Sequence, residues 1–219
     1  NPDYIVNQIE NVYNGFGQMT AEYQEHSGSV NTSTSLKVQY GYDTIAHGSR
    51  LTSMTYPNGK VLSYNYGTSG SLNDVISRVD NIAETGQTIE SYSYLGLSTV
   101  VIRTQNQTGM SLTYVKQGME SNGDAGDQYT GLDRFGRVVD QRWINSGGTA
   151  QDRYQYTYDR DRNVVTKNNL LDSALNEGYT YDGLNRLTET DRNGSLYQSW
   201  TLDALGNMLS TTDSSGASA

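Results

Sequence analysis

One spacing, repeated along the chain, restricts the fold more than any other property of this sequence. An Asp or Asn is followed four positions later by Arg, Asn or Gln, and then at once by an apolar residue. The copies are Asn14-Gly15-Phe16-Gly17-Gln18-Met19, Asp133-Arg134-Phe135-Gly136-Arg137-Val138, Asp159-Arg160-Asp161-Arg162-Asn163-Val164, Asp182-Gly183-Leu184-Asn185-Arg186-Leu187 and Asp203-Ala204-Leu205-Gly206-Asn207-Met208. A sixth, from Tyr42-Asp43 to Arg50-Leu51, carries three extra residues. The residue in front of the anchor is Tyr13, Tyr42, Leu132, Tyr158, Tyr181 or Leu202. An Asp or Asn at a turn start accepts hydrogen bonds from nearby backbone N–H groups. The residue three positions on (Gly17, Gly136, Arg162, Asn185 or Gly206) is expected at positive φ, with Arg162 the strained case.

Around each turn the pattern alternates with period two. Tyr179 and Tyr181 fall on one face of a strand, Asp182 to Asn185 supply the turn, and alternation resumes from Arg186. Each unit is therefore a β-hairpin. The later anchors, at 133, 159, 182 and 203, lie 26, 23 and 21 residues apart. A period of this size marks an array whose units bury their faces only against neighbours. The expected fold is all-β: antiparallel hairpins paired edge to edge in a long, twisted sheet. The Tyr pairs are expected to stack across strands.

Tyr181-Asp182-Gly183-Leu184-Asn185-Arg186-Leu187 resembles the YD repeat of the Rhs family, whose motif reads roughly Tyr-Asp-x-x-Gly-Arg-Leu, with Asn185 at the Gly position. The copy at Asp133 keeps both Gly136 and Arg137, and the resemblance extends from about Val12 to Thr212. Relatives with this repeat include polymorphic toxins, the B and C components of insecticidal Tc toxins, wall-associated bacterial proteins and the animal teneurins. The resemblance implies that the hairpins form part of a curved, spiral β-shell, in toxin members around a C-terminal effector. It implies a non-catalytic structural segment of a secreted or cell-surface protein. Its partners would be neighbouring repeats of the same parent chain, together with an enclosed effector domain or a surface glycan or protein. The alternative reading is an extracellular adhesion or carbohydrate- or protein-binding module that uses a Tyr-rich sheet face. The family's self-cleaving Asp-Pro-x-Gly segment has no counterpart, since the chain contains no Asp-Pro.

Composition agrees with a sheet of half-buried faces. There are 18 Tyr against 2 Phe and 2 Trp, and hydrophobic residues make up 34%, below the roughly 45–50% of globular domains, a range that also counts Gly. Tyr has an apolar body and a wet tip. The net charge of −9 opposes nucleic-acid binding. No cysteine is present, which removes disulfides and thiolate chemistry, and no apolar run is long enough to span a membrane as a helix. The whole of 1–219 reads as one repeat region, and its start at Asn1-Pro2-Asp3-Tyr4 as an internal cut in a larger protein.

Along the chain, Tyr4 to Ile9 reads as the first strand, Val75 to Ile82 as a return strand after a stretched turn, and Trp200 to Thr211 as the last strand. One helical turn is conceivable at Leu170 to Asn176. Sites are few. His26 and His47 lie in loop-like contexts. Asp159-x-Asp161-x-Asn163 imitates the start of a calcium loop but has Val164 and Leu170 where Gly and Glu are needed. Asp124 and Asp127 form an acidic loop, and three glycosylation sequons begin at Asn31, Asn106 and Asn193. No cofactor or metal is expected. Residues that recur in every unit are read as structural, because catalysis needs one special place.

Overall fold

The computed structural model describes residues 5–43, 49–114 and 131–217. Its strands are β1 (Gln8–Tyr13), β2 (Met19–Glu25), β3 (Leu36–Tyr42), β4 (Leu51–Thr55), β5 (Val61–Asn65), β6 (Asn81–Glu84), β7 (Gln87–Leu95) and β8 (Thr99–Gln105). They continue with β9 (Met110–Thr113), β10 (Asp140–Ile144), β11 (Ala150–Tyr158), β12 (Val164–Asn169), β13 (Glu177–Tyr181), β14 (Leu187–Arg192), β15 (Ser195–Leu202) and β16 (Met208–Asp213). All belong to one antiparallel sheet whose strand order is the chain order. The chain divides into two compact units, Asn1–Tyr92 with Gln105–Thr108, and Ser93–Thr104 with Gly109–Ala219.

The hairpins share one register device. In five of them pairing slips by one residue at the position in front of the anchor. Tyr13 faces Met19, Tyr42 faces Leu51, Tyr158 faces Val164, Tyr181 faces Leu187 and Leu202 faces Met208, with a register shift beside each. This bulge leaves one residue of the return strand unpaired and adds twist locally. The skipped residue is Thr20, Thr52, Val165, Thr188 or Leu209. Two of these threonines use the freed position to bond back across the hairpin, Thr20 Oγ1 to the Val12 carbonyl and Thr188 Oγ1 to the Thr180 carbonyl, both at 3.2 Å.

The core is thin. In the first unit Ala21, Tyr23, Tyr66 and Ala83 are the buried apolar residues; in the second they are Val101, Ile102 and Ile144, with Leu95 packed against the first two. Buried polar groups share the interior. Asn169 donates from Nδ2 to Asp152 at 2.7 Å, and its Oδ1 accepts from the N–H groups of Leu171 and Asp172.

Three boundaries differ from the sequence reading. The strand that precedes the first turn is Gln8–Tyr13; Ile5 to Asn7 are not strand, and Tyr4 lies outside the described residues. Val75 to Asp80 are not a return strand. A four-residue helix, α1 (Leu72–Val75), opens there instead, capped by Ser71, whose hydroxyl accepts from Asp74 N–H at 3.3 Å, and strand structure resumes at Asn81. The cap signal Ser71-x-x-Asp74 is readable, but the alternation around Val75 masks it. The final segment Trp200 to Thr211 is split by the 203–207 turn into the end of β15 and the start of β16. At Leu170 to Asn176 the single turn is a 3-10 turn, Ser173–Leu175, capped by Asp172.

Candidate functional site

The repeated residues converge on a common turn. In each of the five regular copies the anchor's Oδ1 accepts two backbone N–H groups, two and four residues on. For Asp182 these are Leu184 at 2.9 Å and Arg186 at 3.0 Å; for Asp203, Leu205 and Asn207, both at 2.8 Å. Asn14, Asp133 and Asp159 repeat the arrangement at 2.8–3.0 Å. The backbone closes the loop twice, with the anchor N–H on the carbonyl four residues on and the third residue's N–H on the anchor carbonyl. That third residue takes positive φ in every copy: Gly17 at 76°, Gly136 at 76°, Arg162 at 75°, Asn185 at 59° and Gly206 at 91°. A type I turn followed by a left-handed residue is a preferred three-residue hairpin connection.

The residue four positions from the anchor clasps it, and in three copies it does a second job. Toward its own turn it clasps the anchor: Arg186 Nε and Nη2 reach Asp182 Oδ2 at 2.6 Å, Arg137 holds Asp133 at 2.7 Å, and Asn163 and Asn207 donate to Asp159 and Asp203 at 2.8 Å. In the amide version the polarity reverses, and Asn14 Nδ2 donates to Gln18 Oε1 at 2.8 Å. In three of the five copies the same side chain also reaches the next turn. Gln18 Nε2 donates to the Ser49 carbonyl at 2.7 Å, Asn163 Nδ2 to Asn185 Oδ1 at 2.9 Å, and Arg186 Nη1 to the Asp203 carbonyl at 2.7 Å.

Tyrosine stitches in the opposite direction. Tyr42, Tyr66, Tyr158 and Tyr181 each donate the phenolic O–H to the first carbonyl after the preceding turn, at Met19, Leu51, Val138 and Val164, over 2.6–2.9 Å. Over two of these rings lies the preceding turn's guanidinium, Arg50 on Tyr66 at 4.2 Å and Arg137 on Tyr158 at 4.5 Å. These geometries attract a cation to the ring face. These four tyrosines are held through their hydroxyls, and a ring pair, Tyr154 with Tyr156, lies within β11 at 6.5 Å. Tyr13 stands exposed.

The enlarged turn at Asp43 keeps the closing bond, Asp43 N–H to the Arg50 carbonyl at 2.8 Å. Arg50 Nε lies 3.6 Å from Asp43, and its Nη2 bonds Asp74 at 2.8 Å, a carboxylate that is only 4% exposed. Helix α1 therefore delivers to Arg50 the partner that an in-turn Asp supplies elsewhere.

Two turns of the same construction escaped the sequence reading. Asn145 Oδ1 accepts from Gly147 and Thr149 N–H at 3.0 Å, and Asp213 Oδ1 from Ser215 at 2.8 Å and Ala217 at 3.2 Å; Gly148 and Gly216 take the positive φ. Both keep the Asx-x-x-Gly spacing. Both lack Tyr in front and Arg, Asn or Gln behind, so they close locally and carry no clasp.

These bonds set the electrostatics. The guanidinium of Arg186 and the amide of Asn207, with the turn's N–H groups, hold the Asp182 and Asp203 carboxyls below the ordinary 3.8. At Asp133 and Asp159 partial burial pushes upward but is outweighed by the same set of hydrogen bonds. Away from the turns, Glu177 accepts from Tyr179 O–H at 2.6 Å, Lys167 at 3.2 Å and Arg192 at 3.2 Å, which lowers its pKa; burial and this carboxylate drive the Tyr179 phenol far upward.

Asp159, the calcium-loop imitation, has Oδ1 occupied by Asp161 and Asn163 N–H and Oδ2 by Asn163 Nδ2. Among the described residues no group of three or more His, Cys, Asp or Glu is placed to hold a metal ion, and no helix is long and apolar enough to cross a membrane. His26 is exposed. His47, Asp124 and Asp127 lie outside the described residues.

The profile of the RHS Repeat family matches residues 181–218. No curated protein matches the chain. Two of the solved structures that share its fold are compared with it. A chain of the Photorhabdus luminescens Tc holotoxin pore superposes with a TM-score of 0.62 at 13% identity, covering 90% of this chain and 10% of that one. TcdB2-TccC3 without its hypervariable C-terminal region gives 0.64 at 13% identity, covering 94% and 11%. The chain thus spans about a tenth of the length of the chains it matches.

Proposed function

Because this chain carries Rhs/YD repeats, we propose that it is a non-catalytic wall segment of a larger secreted or cell-surface Rhs-type protein, forming part of a β-shell that encloses or displays a C-terminal effector. One observation carries the reading: adjacent turns are tied in both directions, by Tyr hydroxyls and by the clasping side chains. Such ties fix each hairpin against its neighbours, as a wall requires. The anchors Asn14, Asp43, Asp133, Asp159, Asp182 and Asp203 serve this construction and no reaction. Its partners are neighbouring repeats of the parent chain and whatever lies behind the wall.

The same observation counts against a Tyr-rich adhesive face. Four repeat tyrosines commit their hydroxyls to backbone carbonyls and so withhold them from a ligand. Limited proteolysis of the full-length parent is the test. Sequence that follows the repeats should resist protease and become accessible when Tyr181→Ala and Arg186→Ala loosen the stitches. Equal cleavage before and after, with the repeats intact, refutes enclosure.

A further inference from the structure

The sequence holds four Asn-Gly pairs, at Asn14, Asn58, Asn122 and Asn193. Asn-Gly bonds react with themselves: the glycine nitrogen attacks the Asn side-chain carbonyl carbon, a new C–N bond forms, and ammonia leaves. Water then opens the resulting cyclic imide to aspartate or isoaspartate. Reaction requires a free side-chain amide and a free glycine N–H, and the described pairs differ in both.

At Asn14 the amide is held from both ends. Its Oδ1 accepts from Phe16 and Gln18 N–H at 2.9 and 3.0 Å, and its Nδ2 donates to Gln18 Oε1 at 2.8 Å. At Asn58 the nucleophile is engaged, because Gly59 N–H donates to the Tyr56 carbonyl at 2.9 Å, and Asn58 Oδ1 accepts from Lys60 N–H. At Asn193 only the backbone N–H is used, donating to the Asn176 carbonyl at 2.8 Å. Its side chain and the Gly194 N–H make no hydrogen bond, and both residues are exposed at the tip of the β14–β15 hairpin. Asn193 and Gly194, at φ 48° and 74°, are the two central residues of a two-residue hairpin turn.

We propose that Asn193 is a self-modification site that deamidates in the folded protein while Asn14 and Asn58 are protected. The isoaspartate product adds a backbone carbon to a connection closed by the Arg192–Ser195 pair. It therefore displaces Arg192 from the Tyr197 ring, 4.0 Å away, and from Glu177.

Trypsin separates the pairs, since Asn14 falls in residues 1–37, Asn58 in 51–60, Asn122 in 117–134 and Asn193 in 193–219. The full chain is incubated in mildly alkaline buffer, and each peptide is followed by mass for amide-to-acid conversion. In folded protein Asn193 should convert about a hundredfold faster than Asn14, the factor set by releasing three hydrogen bonds of ordinary net strength. In denaturant Asn193 and Asn14 should converge. Gln18→Ala should accelerate Asn14 in the folded chain and leave Asn193 unchanged. Conversion at Asn14 or Asn58 as fast as at Asn193 in folded protein overturns the proposal, as does a gap that persists in denaturant.

Discussion

Substitutions at Arg186 separate the two jobs of the clasping position. Its Nε and Nη2 hold Asp182 at 2.6 Å and its Nη1 donates to the Asp203 carbonyl at 2.7 Å, with side-chain exposures of 28% for Arg186 and 24% for Asp182. Hydrogen bonds to charged groups contribute about 1.5–3 kcal/mol where solvent is excluded, and exposed ion pairs about 0.2–1 kcal/mol. At one-quarter exposure the clasp is assigned about 1.5 kcal/mol and the stitch about 1 kcal/mol on those scales. Arg186→Ala loses both and should cost about 2.5 kcal/mol. Arg186→Asn keeps a clasp, as Asn207 keeps one on Asp203 at 2.8 Å, and its shorter stem loses only the reach to the next turn. It should cost about 1 kcal/mol. Native-state hydrogen exchange across β13 to β16 is the assay, because a repeat array opens locally before it unfolds globally. Equal losses for both variants, or changes within about 0.5 kcal/mol for either, would refute the two-job account.

Tyr181→Phe removes only the bond to the Val164 carbonyl and should cost about 1 kcal/mol; Tyr181→Ala should cost more, and His26→Ala, at an exposed position, should stay within about 0.5 kcal/mol in the same urea titration. Arg162→Gly relieves a left-handed non-glycine residue and should stabilise by about 0.5–1 kcal/mol, read as a higher urea midpoint. Gly131→Ala should destabilise by about 2 kcal/mol or more, because a Cβ there meets the backbone of Tyr114 and Asp140 and not a movable side chain; a thermal melt like the parent's would contradict this. The carboxyls of Asp133, Asp159, Asp182 and Asp203 are depressed in the folded state, so their stabilisation is complete above the ordinary value of 3.8 and is lost as pH falls through the lower folded values. Stability should hold from neutrality to about pH 4 and decline below it, and amide protection in the Asn14 turn, whose anchor does not ionise, should be the least affected.

The hairpin array was legible because one turn chemistry recurs: spacing from Asp182 to Arg186 fixes the loop length, and loop length fixes the register. Tyr stitching was not legible, because period-two alternation says which face a ring occupies and nothing about what its hydroxyl reaches. That partner, the Val164 carbonyl, lies 17 positions away and becomes a neighbour only once hairpins pair. Helix α1 was missed because Val75 and Ile76 read as strand formers, whereas the Ser71 cap and the demand of Arg50 for a carboxylate decide the local structure. The turns at Asn145 and Asp213 were overlooked for the opposite reason. They carry neither Tyr in front nor Arg behind, only the smaller signal, Asx-x-x-Gly, that suffices to close the backbone.

The turn satisfies its own backbone through the anchor, the left-handed residue and the clasp, and of the two residues between them the second contributes its backbone N–H to the anchor Oδ1. Those positions hold Gly15-Phe16, Arg134-Phe135, Arg160-Asp161, Gly183-Leu184 and Ala204-Leu205. Phe16, Phe135, Leu184 and Leu205 stand 60–89% exposed. For protein engineering this makes the repeat a display frame. Two adjacent side chains per hairpin can be varied, Pro excepted at the second because its N–H binds the anchor, with the neighbouring pair tethered one repeat away, and a library confined to these slots would vary what the edge presents while keeping the turn's backbone bonds.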